Sequence, residues 1–277
     1  RELAFMPVDV PQGLPARNDS SFSLHQSATL GALTVFLAGR HDVVQGVSVN
    51  TGNVAVAYAI TPVYTARLSY GNAFRLPTFN DLYYPGYSNP NLLPERSDTV
   101  EAALDASTSI GTFTAAVYDT RVHDLISFNP ALSMPVNIGR AHIQGIDLSY
   151  KGTIGKSTPV SVAVGIMNPQ DVTDQTWLPR RPRQTISLSV DHMWDEFHLH
   201  ALSTGVSLLY GGSTFDDQYN TTYLPSYTRV DLRAAYRINS HLTVSANLSN
   251  LFNRQYVTAY GYNSLGRTAF GKVAYTF

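Results

Sequence analysis

His198-Leu199-His200 sets two imidazoles on one face of an extended chain beside Asp195 and Glu196, a spacing that can bind a metal. That face is the polar one, close to a tight turn, and no metal site is expected there. Asp216-Asp217 could offer loop oxygens to calcium, but it lacks the further carboxylates such a site needs, so a solvated acidic loop is expected. There is no nucleotide loop, no nucleophile elbow and no close set of His, Asp and Ser, so the sequence makes no case for an enzyme and none for a cofactor. A different chemistry appears in the stretch 226 to 238. Arg229, Asp231, Arg233 and Arg237 share one face, while Val230, Leu232, Ala234 and Tyr236 share the other. Four ions on one side of a strand need water, because lipid would exact about 2–4 kcal/mol for a central Arg.

The elements that carry these residues are strands. Leu242, Val244, Ala246 and Leu248 alternate with Thr243, Ser245, Asn247 and Ser249, so one face meets an apolar phase and the other meets water. The last strand repeats this with Ala269, Gly271, Val273, Tyr275 and Phe277 opposite Thr268, Lys272 and Thr276. A terminal aromatic fits an interface girdle, with Phe277 at the inner rim. The same alternation places strands near 20 to 29, 31 to 41, 53 to 61, 63 to 74, 97 to 107, 110 to 129, 136 to 152, 157 to 168, 183 to 191, 196 to 210, 226 to 238, 241 to 250 and 267 to 277, about thirteen in all. Residues 1 to 5 read as the tail of a further strand, and 6 to 18, with three prolines, as a loop.

Composition chooses the solvent. Only 14% of residues are charged, against roughly 25% in an ordinary soluble domain, and the chain carries 17 Tyr and 12 Phe. No apolar run is long enough for a transmembrane helix, so a membrane protein of this kind must be a closed barrel. A net charge of −1 provides no basic field for nucleic acid. The connections alternate in length. Short ones are expected at 61–62, 107–110, 152–156, 192–195 and 239–240, and long ones at 41–52, 75–96, 168–182, 211–225 and 251–266, as in an up-and-down barrel with tight periplasmic turns and long outer loops. The expected fold is therefore an all-β, antiparallel up-and-down transmembrane β-barrel. Its odd strand count, with a half-strand entering from the wrong side, implies that more strands precede Arg1.

Four short motifs follow in order: Asn72-Ala73-Phe74-Arg75-Leu76-Pro77-Thr78, then Asn89-Pro90-Asn91-Leu92-Leu93-Pro94-Glu95-Arg96-Ser97, then Asn137-Ile138-Gly139 with Gln144-Gly145-Ile146-Asp147, and Asn250-Leu251-Phe252-Asn253-Arg254-Gln255-Tyr256. Together they resemble the C-terminal half of TonB-dependent outer-membrane receptors. Ser240-His241-Leu242-Thr243-Val244 and Tyr260-Gly261-Tyr262-Asn263-Ser264-Leu265-Gly266-Arg267 are most similar to the cobalamin (vitamin B12) receptors of that family. The resemblance implies a barrel of roughly 22 strands, of which residues 1–277 supply a little over half, with the plug domain, the TonB-engaging box and the calcium loops lying outside this chain. It implies an active transporter of the bacterial outer membrane for a scarce, bulky nutrient, cobalamin first and a siderophore or haem second, with TonB and outer-membrane lipid as partners. A passive porin-like barrel is the alternative outside that family. Two positions match family ligand contacts, Arg180 in Leu178-Pro179-Arg180-Arg181-Pro182 and Tyr219 in the stretch 212 to 219. A guanidinium fork and a phenol can both donate to the amide arms of a corrinoid.

Overall fold

The computed structural model describes residues 2–3, 16–44, 47–194 and 201–277. Thirteen strands follow one another along a single antiparallel meander: β1 (Asp19–Leu30), β2 (Leu33–Val44), β3 (Val47–Ala59), β4 (Tyr64–Arg75), β5 (Glu95–Thr108), β6 (Gly111–Asn129), β7 (Met134–Ile154), β8 (Thr158–Asp171), β9 (Gln184–Met193), β10 (Leu202–Gly211), β11 (Tyr227–Arg237), β12 (Leu242–Ser249) and β13 (Thr268–Tyr275). Each strand pairs with its neighbours in sequence, and β1 and β13 are bonded on one side only, so the sheet is an unclosed barrel wall. Residues Glu2–Leu3 pair with Ala16–Arg17 in a separate small ladder, where the sequence suggested the tail of a barrel strand. The pair His198 and His200 lies outside the described residues, as do Asp195 and Glu196.

The pairing registers show why the alternation persists. Leu68, Ala102, Val117, Ile146 and Ile166 stand opposite one another across β4 to β8, all on one face. A neighbouring row continues it through Val162, Leu188, Leu208, Val230 and beyond. These apolar side chains are not covered by protein: Leu68 is 56% and Val117 52% exposed, so this face is built for a non-aqueous surrounding. Near the short turns the same face carries Tyr58, Tyr64, Tyr150, Tyr236 and Tyr275, with Phe113 and Tyr150 rings 4.6 Å apart and Phe277 edge-on to Tyr275 at 5.2 Å. On β6 the band runs from Phe113 to Val117, about 13 Å along the strand at ~3.3 Å per residue, and gives way to polar residues at Asp119.

The opposite face is polar. Arg67 Nε donates to Asp105 at 2.6 Å, and Thr114 Oγ1 donates to the same carboxylate at 2.7 Å. Arg233 donates through Nε to Asp191 at 2.6 Å and through Nη2 to Ser189 at 2.6 Å, and Arg229 pairs with Asp231 at 3.1 Å. A Cβ at Gly205 would collide with both Asp191 and Arg233, so a glycine there lets the ion pair lie across β10. Arg233 thus has partners two strands away, and Arg229 and Asp231 pair with each other along β11, contacts that alternation alone could not name.

One connection departs from the sequence expectation. The long connection expected at 41–52 is largely strand: β2 and β3 stay paired as far as Val44↔Val47. Asp42-Val43-Val44 and Val47-Ser48-Val49 keep the alternation above the apolar belt, with Asp42 buried and held by the Arg40 guanidinium at 2.7 Å. The hairpin β6–β7 extends far past the belt, in line with the strands expected at 110 to 129 and 136 to 152. Asp124 has φ 58°, opposite Gly139, and there the pleat resets, so that Leu125 and Ile138 join Val122 and Ala141 in one buried cluster closed by Leu178. This small core is the platform under the outer loops.

Candidate functional site

The long loops all leave one end of the sheet, and three of them meet around Arg180. The loop after β8 starts with Asp171, whose Oδ1 accepts from the Thr173 and Asp174 N–H groups at 2.8 and 3.1 Å. It then packs Leu178, fully buried, onto the platform, and the Leu178 N–H donates to Pro169 O at 2.9 Å. With Leu178 fixed and Pro179 and Pro182 limiting the backbone, the chain turns through Arg180 at φ 56°. The Arg180 N–H donates to Phe215 O at 2.7 Å, and its guanidinium donates to Asp216 through Nε at 2.7 Å and Nη2 at 3.1 Å. Asp216 also accepts from the Tyr260 N–H at 2.8 Å, which brings in the loop between β12 and β13.

Tyr219 belongs to the same assembly. The loop between β10 and β11 folds as a small hairpin, Thr214–Phe215 against Tyr223–Leu224. Asp217 is the hub of its tip, accepting from the N–H groups of Tyr219 (2.9 Å), Thr221 (3.2 Å) and Thr222 (2.7 Å). The Tyr219 hydroxyl accepts from Asn129 Nδ2 at 3.1 Å, while its ring remains 45% exposed. Asp216 and Asp217 are therefore not the solvated acidic loop expected from sequence. One is ion-paired and the other is buried in a turn, because each satisfies backbone donors that the loop would otherwise leave unpaired.

Electrostatics follow the geometry. Burial pushes the Asp216 carboxyl up, but the Arg180 guanidinium and the Tyr260 N–H outweigh it and hold the group below the usual carboxylate range. Its hydrogen bond to Asp216 raises Arg180 against the opposing effect of burial. For Arg181 burial dominates and lowers the guanidinium, with Glu95 countering. Arg181 Nη1 is buried without a hydrogen-bond partner.

Beneath Arg180 lies a cleft of about 250 Å³, lined by Arg75, Asp81, Tyr87, Arg180, Arg181 and Asp216 among others. Arg75 donates to Glu95 at 2.7 and 2.6 Å, and Glu95 also accepts from the Ile126 N–H at 2.7 Å. Asp81 caps the short helix α1 (Phe79–Tyr83) in a reciprocal box with Thr78. Tyr87 stacks on Phe128 with ring centroids 5.3 Å apart. Arg75, Glu95, Arg181 and Tyr87 were not singled out from sequence as site residues. Their only local signal is that they sit in or beside the motifs at 72–78, 89–97 and 178–182.

Those motifs work as joints. Asn137 accepts from the Leu93 N–H at 2.9 Å and donates to Leu93 O at 3.0 Å. Asn220 does the same to Trp177, at 2.7 and 2.8 Å, and Asn250 to Arg254, at 2.8 and 3.0 Å. Each side-chain amide replaces a strand neighbour by pairing with both polar groups of one residue.

The protein is similar to known receptors in both sequence and fold. Residues 12–251 match the family described as TonB dependent receptor-like, beta-barrel. The vitamin B12 transporter BtuB of Photobacterium profundum is 32% identical over 238 residues, 82% of this chain and 38% of that protein. BtuB of Vibrio vulnificus is 30% identical over 237 residues, 82% and 37% respectively. The chain thus spans less than two-fifths of the length of these curated relatives. Among solved structures, the siderophore receptor PiuA from Acinetobacter baumannii superposes with a TM-score of 0.77 at 18% identity, over 94% of this chain and 43% of PiuA. With its thirteen-strand meander, bare apolar belt and interlocked outer loops, the chain belongs to the TonB-dependent receptors of the bacterial outer membrane, a family of transporters and receptors to whose β-barrel it contributes.

Proposed function

We propose that the receptor containing this chain takes up cobalamin, with energy supplied through TonB, and that residues 1–277 are the C-terminal part of its barrel, the plug lying outside them. The observation that carries this reading is the 32% identity to a vitamin B12 transporter across 82% of the chain, which includes the loops that carry Arg180 and Tyr219. The geometry suits the role. Asp216 engages two of the five guanidinium N–H bonds of Arg180, leaving three for a ligand. Arg180 remains 48% exposed at the mouth of the polar cleft, and Tyr219 presents a half-exposed ring from the same hairpin. A corrinoid's amide arms would take the donors, and its broad face the ring. Binding at the outer loops would come first, and force on the plug would then open a path along the polar wall.

The test is equilibrium binding of labelled cyanocobalamin to outer membranes carrying the intact receptor, alongside ferric siderophores and haem. Saturable cobalamin binding that is lost in Arg180→Ala supports the proposal. Saturable binding of a siderophore or haem, with none of cobalamin, sinks it.

A further inference from the structure

The apolar face carries a second kind of surface where it passes the belt toward the outer loops. On β5, β6 and β7 the rows run in order: Ala102, Val117 and Ile146 are apolar, then Val100, Asp119 and Gln144, then Asp98, Arg121 and His142, then Arg96, His123 and Arg140. All share one parity, so all point to the lipid side. The carboxylates of the lower rows are satisfied within the protein: Asp98 accepts from the Tyr70 hydroxyl at 2.7 Å, and Asp119 from Gln144 Nε2 at 2.8 Å, with His142 Nε2 also 2.8 Å away. The top row is different. Arg96, His123 and Arg140 are exposed, and among the described residues the Arg96 and Arg140 guanidinium groups form no ion pair. Arg121, 73% exposed, makes only a long 3.5 Å contact to Asp119.

Beside this strip the wall opens. Pairing between β3 and β4 ends at Asn53↔Gly71, while β3 continues up with β2 and β4 continues up with β5. The notch so formed holds about 380 Å³ and is lined on this face by Ser48, Asn50, Asn72, Phe74, Arg96 and Asp98. Asn72 bridges its floor, accepting from the Gly52 N–H at 2.7 Å. Arg96 therefore stands between a polar notch and Arg140 two strands away, about 10 Å at the ordinary strand spacing.

We propose that this strip and notch dock the phosphorylated glycolipid of the outer leaflet, its phosphates on Arg96, Arg121 and Arg140 and its sugar hydroxyls in the notch. The position selects the ligand: the surface is continuous with the lipid-facing belt, immediately above it, and on the outer-loop side. The chemistry agrees, because arginine forks match phosphate oxygens and the strip's permanent cations, Arg96, Arg121 and Arg140, are all arginine. Acyl chains of a lipid held there lie along Val100, Val117 and Ile146, already bare for them. The inference rests on the outer-membrane location and not on which nutrient is carried.

The test uses the intact receptor in detergent, titrated with bisphosphorylated lipid A and followed by native mass spectrometry. Arg96→Gln/Arg140→Gln is expected to weaken binding about tenfold or more, and the single Arg140→Gln to weaken it less. Lys156→Gln, at the opposite rim, should leave binding unchanged. Lipid A stripped of phosphate should bind wild type and double variant alike. Heat-modifiable gel mobility checks folding, and if the double variant does not fold the single Arg140→Gln decides. Lipid A bound within twofold of wild type by the folded variant would overturn the proposal. So would inorganic phosphate displacing lipid A at equal concentration, since the site would then serve a free anion.

Discussion

Replacing Arg180 tests whether this guanidinium touches the ligand or only staples the loops. Its fork makes two charge-assisted hydrogen bonds to Asp216, at 2.7 and 3.1 Å, between side chains 48% and 14% exposed. With one partner half in water, the staple is worth about 1 kcal/mol. Loss of the staple alone, as in Asp216→Ala, should therefore raise the cobalamin dissociation constant only about fivefold. Direct contact is larger, about 1.5–3 kcal/mol for a charged donor, so Arg180→Ala should raise it roughly ten- to a hundredfold. The double variant should lose a little more than Arg180→Ala, because Asp216 keeps its bond from the Tyr260 N–H once its cation is gone. The assay is labelled cyanocobalamin binding to intact cells at matched receptor levels. Three equal, small losses would reduce Arg180 to a positioning residue, and binding by Arg180→Ala within twofold of wild type would refute its role altogether.

Other expectations follow from the same geometry. Tyr219→Ala should weaken cobalamin binding less than Arg180→Ala, and Tyr219→Phe less again, since only one neutral hydrogen bond from Asn129 is lost; the same binding assay ranks them. The depressed Asp216 carboxyl contributes loop stability that is present above its unfolded value of ~4 and is lost as pH falls through its lower folded value, so hydrogen-exchange protection in residues 212–226, taken relative to the intrinsic exchange rate at each pH, should be flat from about pH 5 to 8 and fall only in stronger acid. Glu95→Gln removes the charge that holds Arg75 and leaves Arg181 uncompensated, so limited proteolysis within residues 76–94 should speed up severalfold; an unchanged rate would show the pair to be idle. Spin labels at 230 and 232 should be quenched by lipid-soluble oxygen and those at 229 and 231 by aqueous reagents; the reverse pattern would overturn the register. With β1 and β13 each bonded on one side, residues 1–277 alone should not give a heat-modifiable, protease-resistant monomer.

The barrel wall was legible because its cause is local. Val160, Val162, Val164 and Ile166 alternate with smaller or polar residues whatever else the chain does, and the strand pairing follows that alternation residue by residue. Above the belt the rule weakens. Both faces of β2 and β3 there are wet or covered by protein, so Asp42 is buried and Val43 exposed, and the extended hairpin looked like a loop. The site was legible only in part. Arg180 and Tyr219 came from a family likeness, whereas their partners Asp216 and Asn129 are 36 and 90 residues distant and have no local signature. Side-chain hydrogen bonds between loops depend on how the strands bring loop ends together, which no window of sequence contains.

The doubly bonded asparagines carry a consequence for chemical ageing. Asn137, Asn220 and Asn250 each present one donor and one acceptor to a single residue's backbone. Hydrolysis of any of these amides to a carboxylate changes the covalent structure by one atom's substitution, yet it turns the donor toward Leu93 O, Trp177 O or Arg254 O into a second acceptor. Attraction becomes repulsion at a carbonyl, and the joint opens without loss of volume. The residues that follow, Ile138, Thr221 and Leu251, are all bulkier than glycine and slow the ring closure through which amides are lost. A receptor exposed to the medium for the life of its cell thus keeps these outer joints on amides whose next residues slow that decay.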